Sequence, residues 1–467
     1  MSDRDRLRPD ANPTPDQTAD TSSIETAGGP EEPQKEEETK AVTFSWGIVM
    51  VRTKRLLYLL DRLAKYRFFG DIGWAFLGIT LVAAAFMIWL MLDQDYILLT
   101  GSLALRCAVG AAPATQCTSA GIVPQGPPPL QAYLLLPGLN PLIPFVYGII
   151  GIVIAVVIHE GTHGVIARRL GLPVKSTGVL FFLIVPIGAF VEIDEKLIQK
   201  SRFRDSGRIM AGGPGSNIIV ALIALGLLLL VVGGLVPVQF DGVQVQTILS
   251  PSPAYQLLQR NLLASGDVIV AVNNTAVHSV ANLSSFMKHT HPNETLIVYV
   301  QHVGVTKSYA LTLAANPNNK SIGFIGIQQS FSDSDLSNIK NNYASSFFRN
   351  PLLYLVVPGV FAQASSVVPF SSQLAGLYTS PTLGFLWFPL ASTFFWIWFI
   401  NVNLAFFNAI PLYPLDGGQA LLNFFSHFGR KGVELRAKTL TTIISIAMLI
   451  LILSFLFLPR ILGLLTI

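Results

Sequence analysis

Runs without a single charged side chain govern what this chain can fold into. Residues 72–92 (IGWAFLGITLVAAAFMIWLML) hold none over 21 positions, long enough to cross a ~30 Å hydrocarbon core as one helix. Further uncharged runs occupy 142–158, 209–240, 351–415 and 439–459. Lipid offers no partner for backbone N–H and C=O groups, so such runs are expected to be helical. Composition agrees. Only 12% of the 467 residues are charged and 51% are hydrophobic, against about 25% charged in a soluble globular protein. A disordered chain is ruled out and a soluble enzyme strongly disfavoured. The net charge of +4 comes from 31 basic residues that form no concentrated stripe, and no zinc-finger or RNA-recognition signature occurs. No nucleic-acid partner is expected.

The remaining charges set a topology. Residues 1–40 carry 11 acidic against 5 basic residues and read as a disordered acidic tail. Residues 41–71 form a basic juxtamembrane segment with Arg52, Lys54, Arg55, Arg62, Lys65 and Arg67, which favours a cytoplasmic N-terminus. A polybasic segment lying on anionic lipid gives the same side. The first run begins too late for a cleaved signal peptide and reads as a signal anchor. Alternation places 93–141 outside, the basic cluster between Arg168 and Arg208 inside, and Arg430, Lys431, Arg436 and Lys438 inside again. A second full span within 351–415 would move those last four cations outside, so 351–375 is read as interfacial or re-entrant. Cys107 and Cys117 share the outside loop, where they can pair or remain two thiols; spacing alone does not decide.

The expected fold is a polytopic α-helical membrane protein of the cell membrane with about five or six membrane segments. Its parts are an N-terminal membrane half over 72–236, an inserted α/β domain over 237–330, a linker over 331–380 and a C-terminal membrane half over 381–467. The insert stands out because VQVQTIL, DVIVAV, TLIVYV and SYALTL alternate with turn-forming SPSP, NN, HPNE and NPNN. Within it, SPSPAYQLLQRNLLASGDVIVAVNNTAV resembles a PDZ domain. All four N-x-[ST] sequons, at Asn273, Asn282, Asn293 and Asn319, lie here and agree with an extracytoplasmic side. Lys288-His289-Thr290-His291 invites a metal reading, but solvated loop histidines account for it better.

Chemistry concentrates in His159-Glu160-Gly161-Thr162-His163. On a helix, positions i and i+4 share one face, so both imidazoles can hold one metal ion, while Glu160 is placed to act as a base. The motif follows 17 uncharged residues, Leu142–Ile158, and a carboxylate at that depth costs about 2.5–3.5 kcal/mol on insertion scales. Catalytic zinc takes three protein ligands. Asp416 is the best candidate for the third, being the first charged residue after Arg349 and lying in N-A-I-P-L-Y-P-L-D-G-G, residues 408–418. The prolines before Asp416 and the glycines after it are expected to unwind the helix.

The chain resembles the site-2 protease family of intramembrane zinc metalloproteases, in its PDZ-containing branch. The resemblance rests on HEGTH, on Gly213-Pro214-Gly215-Ser216-Asn217 opening the next span, and on the N-x-x-P-x-x-x-L-D-G stretch at 408–417, in that order. It implies zinc bound by His159, His163 and Asp416, Glu160 as general base, and Asn217 assisting by bonding the substrate backbone or the oxyanion. An interhelical hydrogen bond from Asn217 has comparable weight. Segment 176–195 resembles the family's membrane-embedded hairpin, whose edge an unwound substrate strand can join. The implied partners are transmembrane protein substrates trimmed beforehand by another protease, the lipid bilayer, and a peptide ligand of the PDZ-like domain.

Three other readings stand beside this one. A prenyl-protein-type membrane protease also uses H-E-x-x-H but needs a distant glutamate ligand. A catalytically inactive adaptor working through the PDZ-like domain is weakened by the intact ligand set. A transporter is suggested by broken helices, but no internal repeat supports it.

Overall fold

The computed structural model describes residues 42–45, 48–101, 103, 107, 136–140, 143–182, 185–238, 241–264, 266–302, 305–329, 333–349, 375–427 and 434–465. The expectations for the acidic tail, for Cys117 and for nearly all of 351–375 fall outside these residues. Cys107 is buried and disulfide-bonded.

The N-terminal part comprises strands β1 (Val42–Ser45) and β2 (Ile48–Thr53), a short helix α1 (Leu57–Ala64) and the long helix α2 (Phe68–Thr100). Helix α3 (Phe145–Arg169) follows, then strands β3 (Val174–Phe182) and β4 (Val185–Ile193) and helix α4 (Phe203–Gly233). The inserted domain contains β5 (Val243–Ile248), α5 (Pro253–Gln259), β6 (Val268–Val272), α6 (Val280–Met287), β7 (Thr295–His302), β8 (Val305–Thr312) and β9 (Ile327–Gln329). Helix α7 (Asp333–Arg349) leads away from it, and α8 (Trp387–Ala409), α9 (Asp416–His427) and α10 (Glu434–Leu465) complete the chain.

Five helices are long and apolar enough to cross a membrane: α2, α3, α4, α8 with its preceding turn from Gly384, and α10. Each overlaps one of the runs predicted from missing charge, the α8 span taking only Gly384–Ala409 of the 351–415 run. Helix α8 is the centre of the bundle. Its most apolar stretch is 72% buried, against 17% for α10, which has lipid-facing composition around most of its girth. Phe395, Trp396, Trp398 and Phe399 fill the space around α8 and are each at most 1% exposed. Helix α3 ends where Leu170 N bonds back to Ile166 O and Gly171 takes φ +84°, the left-handed turn that closes many helices.

The expected membrane hairpin over 176–195 is β3–β4, and it is part of a larger sheet. Strands β1, β2, β3 and β4 pair antiparallel in that order, with Thr53 opposite Thr177 and Thr177 opposite Val191. The strands at 42–53 were hidden in the sequence because they lie in a segment read only for its basic residues, of which Arg52 alone falls within them. Their β-branched content, in VTFS and IVMVRT, is the signal that could have revealed them.

The insert is a PDZ-like domain with an antiparallel sheet ordered β8-β7-β6-β5-β9. Strand β7 buries Leu296, Val298 and Val300 on one face in strict alternation, packing them with Val243, Val245, Ile269 and Val272. Both short helices are capped by serine: Ser252 Oγ accepts from Tyr255 N at 3.1 Å and Ser279 Oγ from Asn282 N at 3.2 Å. The domain's histidines disperse. His278 pairs with Asp241, His302 with Asp267, while His289 and His291 bond main-chain carbonyls.

Candidate metal centre

Two helices and a loop bring the predicted ligands together. His159 and His163 lie one turn apart on α3, with ring centroids 4.9 Å apart. Asp416 opens α9, and its Oδ2 lies 3.0 Å from His159 Nε2 and 3.2 Å from His163 Nε2. Among the described residues this is the one group of three or more His, Cys, Asp or Glu side chains close enough to share a metal ion. Both imidazoles are buried, at 5% and 6% exposure.

The loop that delivers Asp416 is built by its prolines and glycines. Helix α8 stops at Ala409, and Ile410 turns to extended backbone because Pro411 disfavours a helical residue before it. The sequence reading has the glycines unwinding a helix. Instead Gly417 and Gly418 sit inside the first turn of α9, and their role is close approach. A Cβ on Gly417 would overlap the carbonyl oxygens of Ala409 and Ile410, and one on Gly418 would overlap the main chain of Leu412 and Tyr413. Tyr413 N donates to Ser445 Oγ at 3.0 Å, tying the loop to α10.

The cluster has the chemistry of a cation site. His163 Nδ1 lies 2.6 Å from the carbonyl of Ile209, which can only accept, so Nδ1 carries the hydrogen and Nε2 turns its lone pair inward. A carboxylate oxygen shared by two inward-facing imidazoles concentrates negative potential, which a bound cation relieves. The space beside the nitrogens is kept clear by Gly213 of α4, where a Cβ would overlap Nε2 of both histidines. Two imidazoles and one carboxylate suit zinc and leave one coordination position open.

Glu160 is half-buried on the same turn of α3, and its Oε2 accepts from Val191 N of β4 at 3.1 Å. Val191 lies on the edge strand of the four-stranded sheet. Asn217, one turn beyond Gly213, is fully buried, and neither its Oδ1 nor its Nδ2 has a partner among the described residues. No hydrogen bond joins it to the histidines or Asp416. Sequence reasoning missed Asn401 and Asn403 of α8, which are buried with Oδ1 unbonded while Nδ2 returns to the carbonyls of Ile397 and Phe399. Their signal was available: polar side chains inside an otherwise apolar span are rare unless used.

Membrane-crossing helices enclosing a buried His, His, Asp cluster with an adjacent glutamate define a membrane metalloprotease. The chain belongs to Peptidase family M50, whose family model matches residues 147–452. An uncharacterized protein of Methanocaldococcus jannaschii is 25% identical over 79% of this chain and 75% of its own length. A putative zinc metalloprotease of Streptococcus pyogenes serotype M3 is 23% identical over 56% of this chain and 61% of that one. Among solved structures, the PDZ domain of an SdrC-like protein from Listeria monocytogenes matches 20% of this chain and 93% of its own, with 21% identity and TM-score 0.17.

Proposed function

We propose that the protein is an intramembrane zinc endopeptidase that hydrolyses peptide bonds within transmembrane segments. The observation that carries this reading is the meeting of His159, His163 and Asp416 beside Glu160, at the end of an apolar span. Zinc held by those three residues would supply Lewis acidity, acidifying water toward neutrality and polarising the scissile carbonyl. Glu160 takes the proton from the attacking water and returns it to the leaving amine. Its bond from Val191 N holds the carboxylate in place for both transfers.

The remaining residues present the substrate. A transmembrane helix hides its carbonyls in hydrogen bonds four residues apart, so it must unwind before attack. The free edge of β4, next to Glu160, offers main-chain groups to an unwound segment added as a strand. Asn217, with its amide buried and unbonded, supplies a donor and an acceptor to the substrate backbone or the oxyanion. The PDZ-like domain, on the extracytoplasmic side, admits stubs left by an earlier cut, excludes bulky ectodomains and takes a peptide ligand.

The test compares purified wild type with His159→Ala in liposomes containing a transmembrane substrate. Elemental analysis should find stoichiometric zinc in the first and little in the second, and cleavage only in the first. A fully active protein that never contains zinc would overturn the reading. Deleting 240–330 should permit cleavage of an untrimmed substrate; unaltered selectivity with activity retained would refute the screening role.

A further inference from the structure

The segment before the first span presents a helix with three unlike faces. Helix α1 buries Leu60 and Ala64 against the bundle. Beside that line, Leu56 and Leu59 are 51% and 50% exposed, one turn apart at the start of the helix, and Tyr66, just past its end, is 59% exposed. A second line, Tyr58, Arg62 and the C-cap Lys65, is exposed next to it, and Arg55 is exposed just before the helix. Asp61, the sole carboxylate on α1, is already engaged by Arg168 at 3.2 Å. Among the described residues the ion pairs include none for Arg55, Arg62 or Lys65, whereas Arg52 of β2 faces Glu192 at 4.0 Å. Phe68, 61% exposed, then begins α2.

An apolar stripe flanked by cations, directly joined to a membrane span, matches a helix lying in the bilayer interface. The apolar side chains enter the acyl boundary while Arg and Lys stems carry their charges to the headgroups. We propose that α1 docks on anionic phospholipid headgroups and thereby braces the helix that carries the metal centre. Charge complementarity selects anionic lipid over zwitterionic lipid, and continuity of the stripe with α2 selects a bilayer over a soluble acidic protein. The brace is direct. Leu60 Cδ1 fits against Gly164, where a Cβ would come within 2.9 Å of it, and Gly164 follows His163. Arg169 Nη1 donates to Ala64 O at 3.5 Å, next to the Asp61–Arg168 pair. Strand β2, just before α1, is hydrogen-bonded to β3 of the sheet whose edge holds Glu160.

The test places an environment-sensitive fluorophore on Tyr58→Cys of the full chain. Labelled protein is reconstituted in vesicles of phosphatidylcholine alone and of phosphatidylcholine mixed with phosphatidylglycerol. The expected result is a blue shift that grows with the phosphatidylglycerol fraction, with docking weakened about fivefold for each of Arg55→Gln, Arg62→Gln and Lys65→Gln. High salt should produce the same loss in the chain that keeps its cations, so the result does not depend on the variants folding. A shift equal in both vesicles and indifferent to salt overturns the proposal in favour of purely apolar insertion. A label shielded in both until residues 1–40 are removed overturns it in favour of the acidic tail. The readout is the position of α1, so it stands whether or not the proteolytic reading holds.

Discussion

His163 donates its Nδ1 hydrogen to the main-chain oxygen of Ile209 at 2.6 Å, and this bond fixes which nitrogen faces Asp416. Ile209 lies on α4, so the orientation of an α3 side chain is set by the neighbouring helix. The same helix brings Gly213 against both imidazoles. Helix α4 is therefore part of the candidate metal centre although it contributes none of the three clustered side chains.

From this arrangement Gly213→Ala should weaken zinc binding about 10–100-fold, the range seen when groups around metal ligands are disturbed. The new methyl group would occupy the space beside both Nε2 atoms, and α4 is too tightly packed there to retreat. Competition with a zinc chelator reads the effect. Unchanged affinity would mean that the ligand atoms do not enclose the metal on the α4 side.

Glu160→Gln separates metal binding from chemistry. Glutamine keeps the shape and can still accept from Val191 N, but it cannot take a proton. Zinc content should remain, and cleavage of a transmembrane substrate should fall about 10²–10⁴-fold, the usual contribution of a general base. Parallel loss of zinc would move Glu160 from base to structural support.

Asp416→Ala should remove most of the zinc. Two imidazoles would remain, one donor short of the three protein ligands that hold a catalytic zinc. Elemental analysis of protein prepared without added metal measures this directly. Full occupancy in the variant would require another third ligand, and among the described residues no other side chain already belongs to the cluster.

Much of this was legible in the sequence because charge is scarce. Each of the five candidate spans overlaps a charge-free run, and His159, which follows one such run, meets Asp416, which ends another, across 257 positions. Other features stayed hidden for physical reasons. The pairing of β2 with β3 joins residues more than a hundred positions apart, and period and propensity do not encode partners at that distance. Gly213 and Gly417 matter for what they lack. A glycine kept small by a neighbouring atom looks, in sequence, like any glycine in a helix. Asn401 and Asn403 interrupt the apolar sequence of α8, but a run defined by missing charge does not register uncharged amides.

The bond between Val191 and Glu160 can be tested by removing a donor without removing a side chain. Val191 N points away from β3 toward Glu160, and an edge strand tolerates proline where its N–H faces outward. Val191→Pro therefore leaves the pairing of β4 with β3 intact while deleting the only main-chain donor recorded to the Glu160 carboxylate among the described residues. A hydrogen bond to a charged group contributes about 1.5–3 kcal/mol, so kcat should fall at least about tenfold, with zinc content unchanged. A second signature distinguishes positioning from general damage. Because the bond orients Glu160 and does not itself touch substrate, kcat should fall while KM for the transmembrane substrate stays unchanged. A raised KM with kcat in place would assign Val191 to substrate binding along the β4 edge instead.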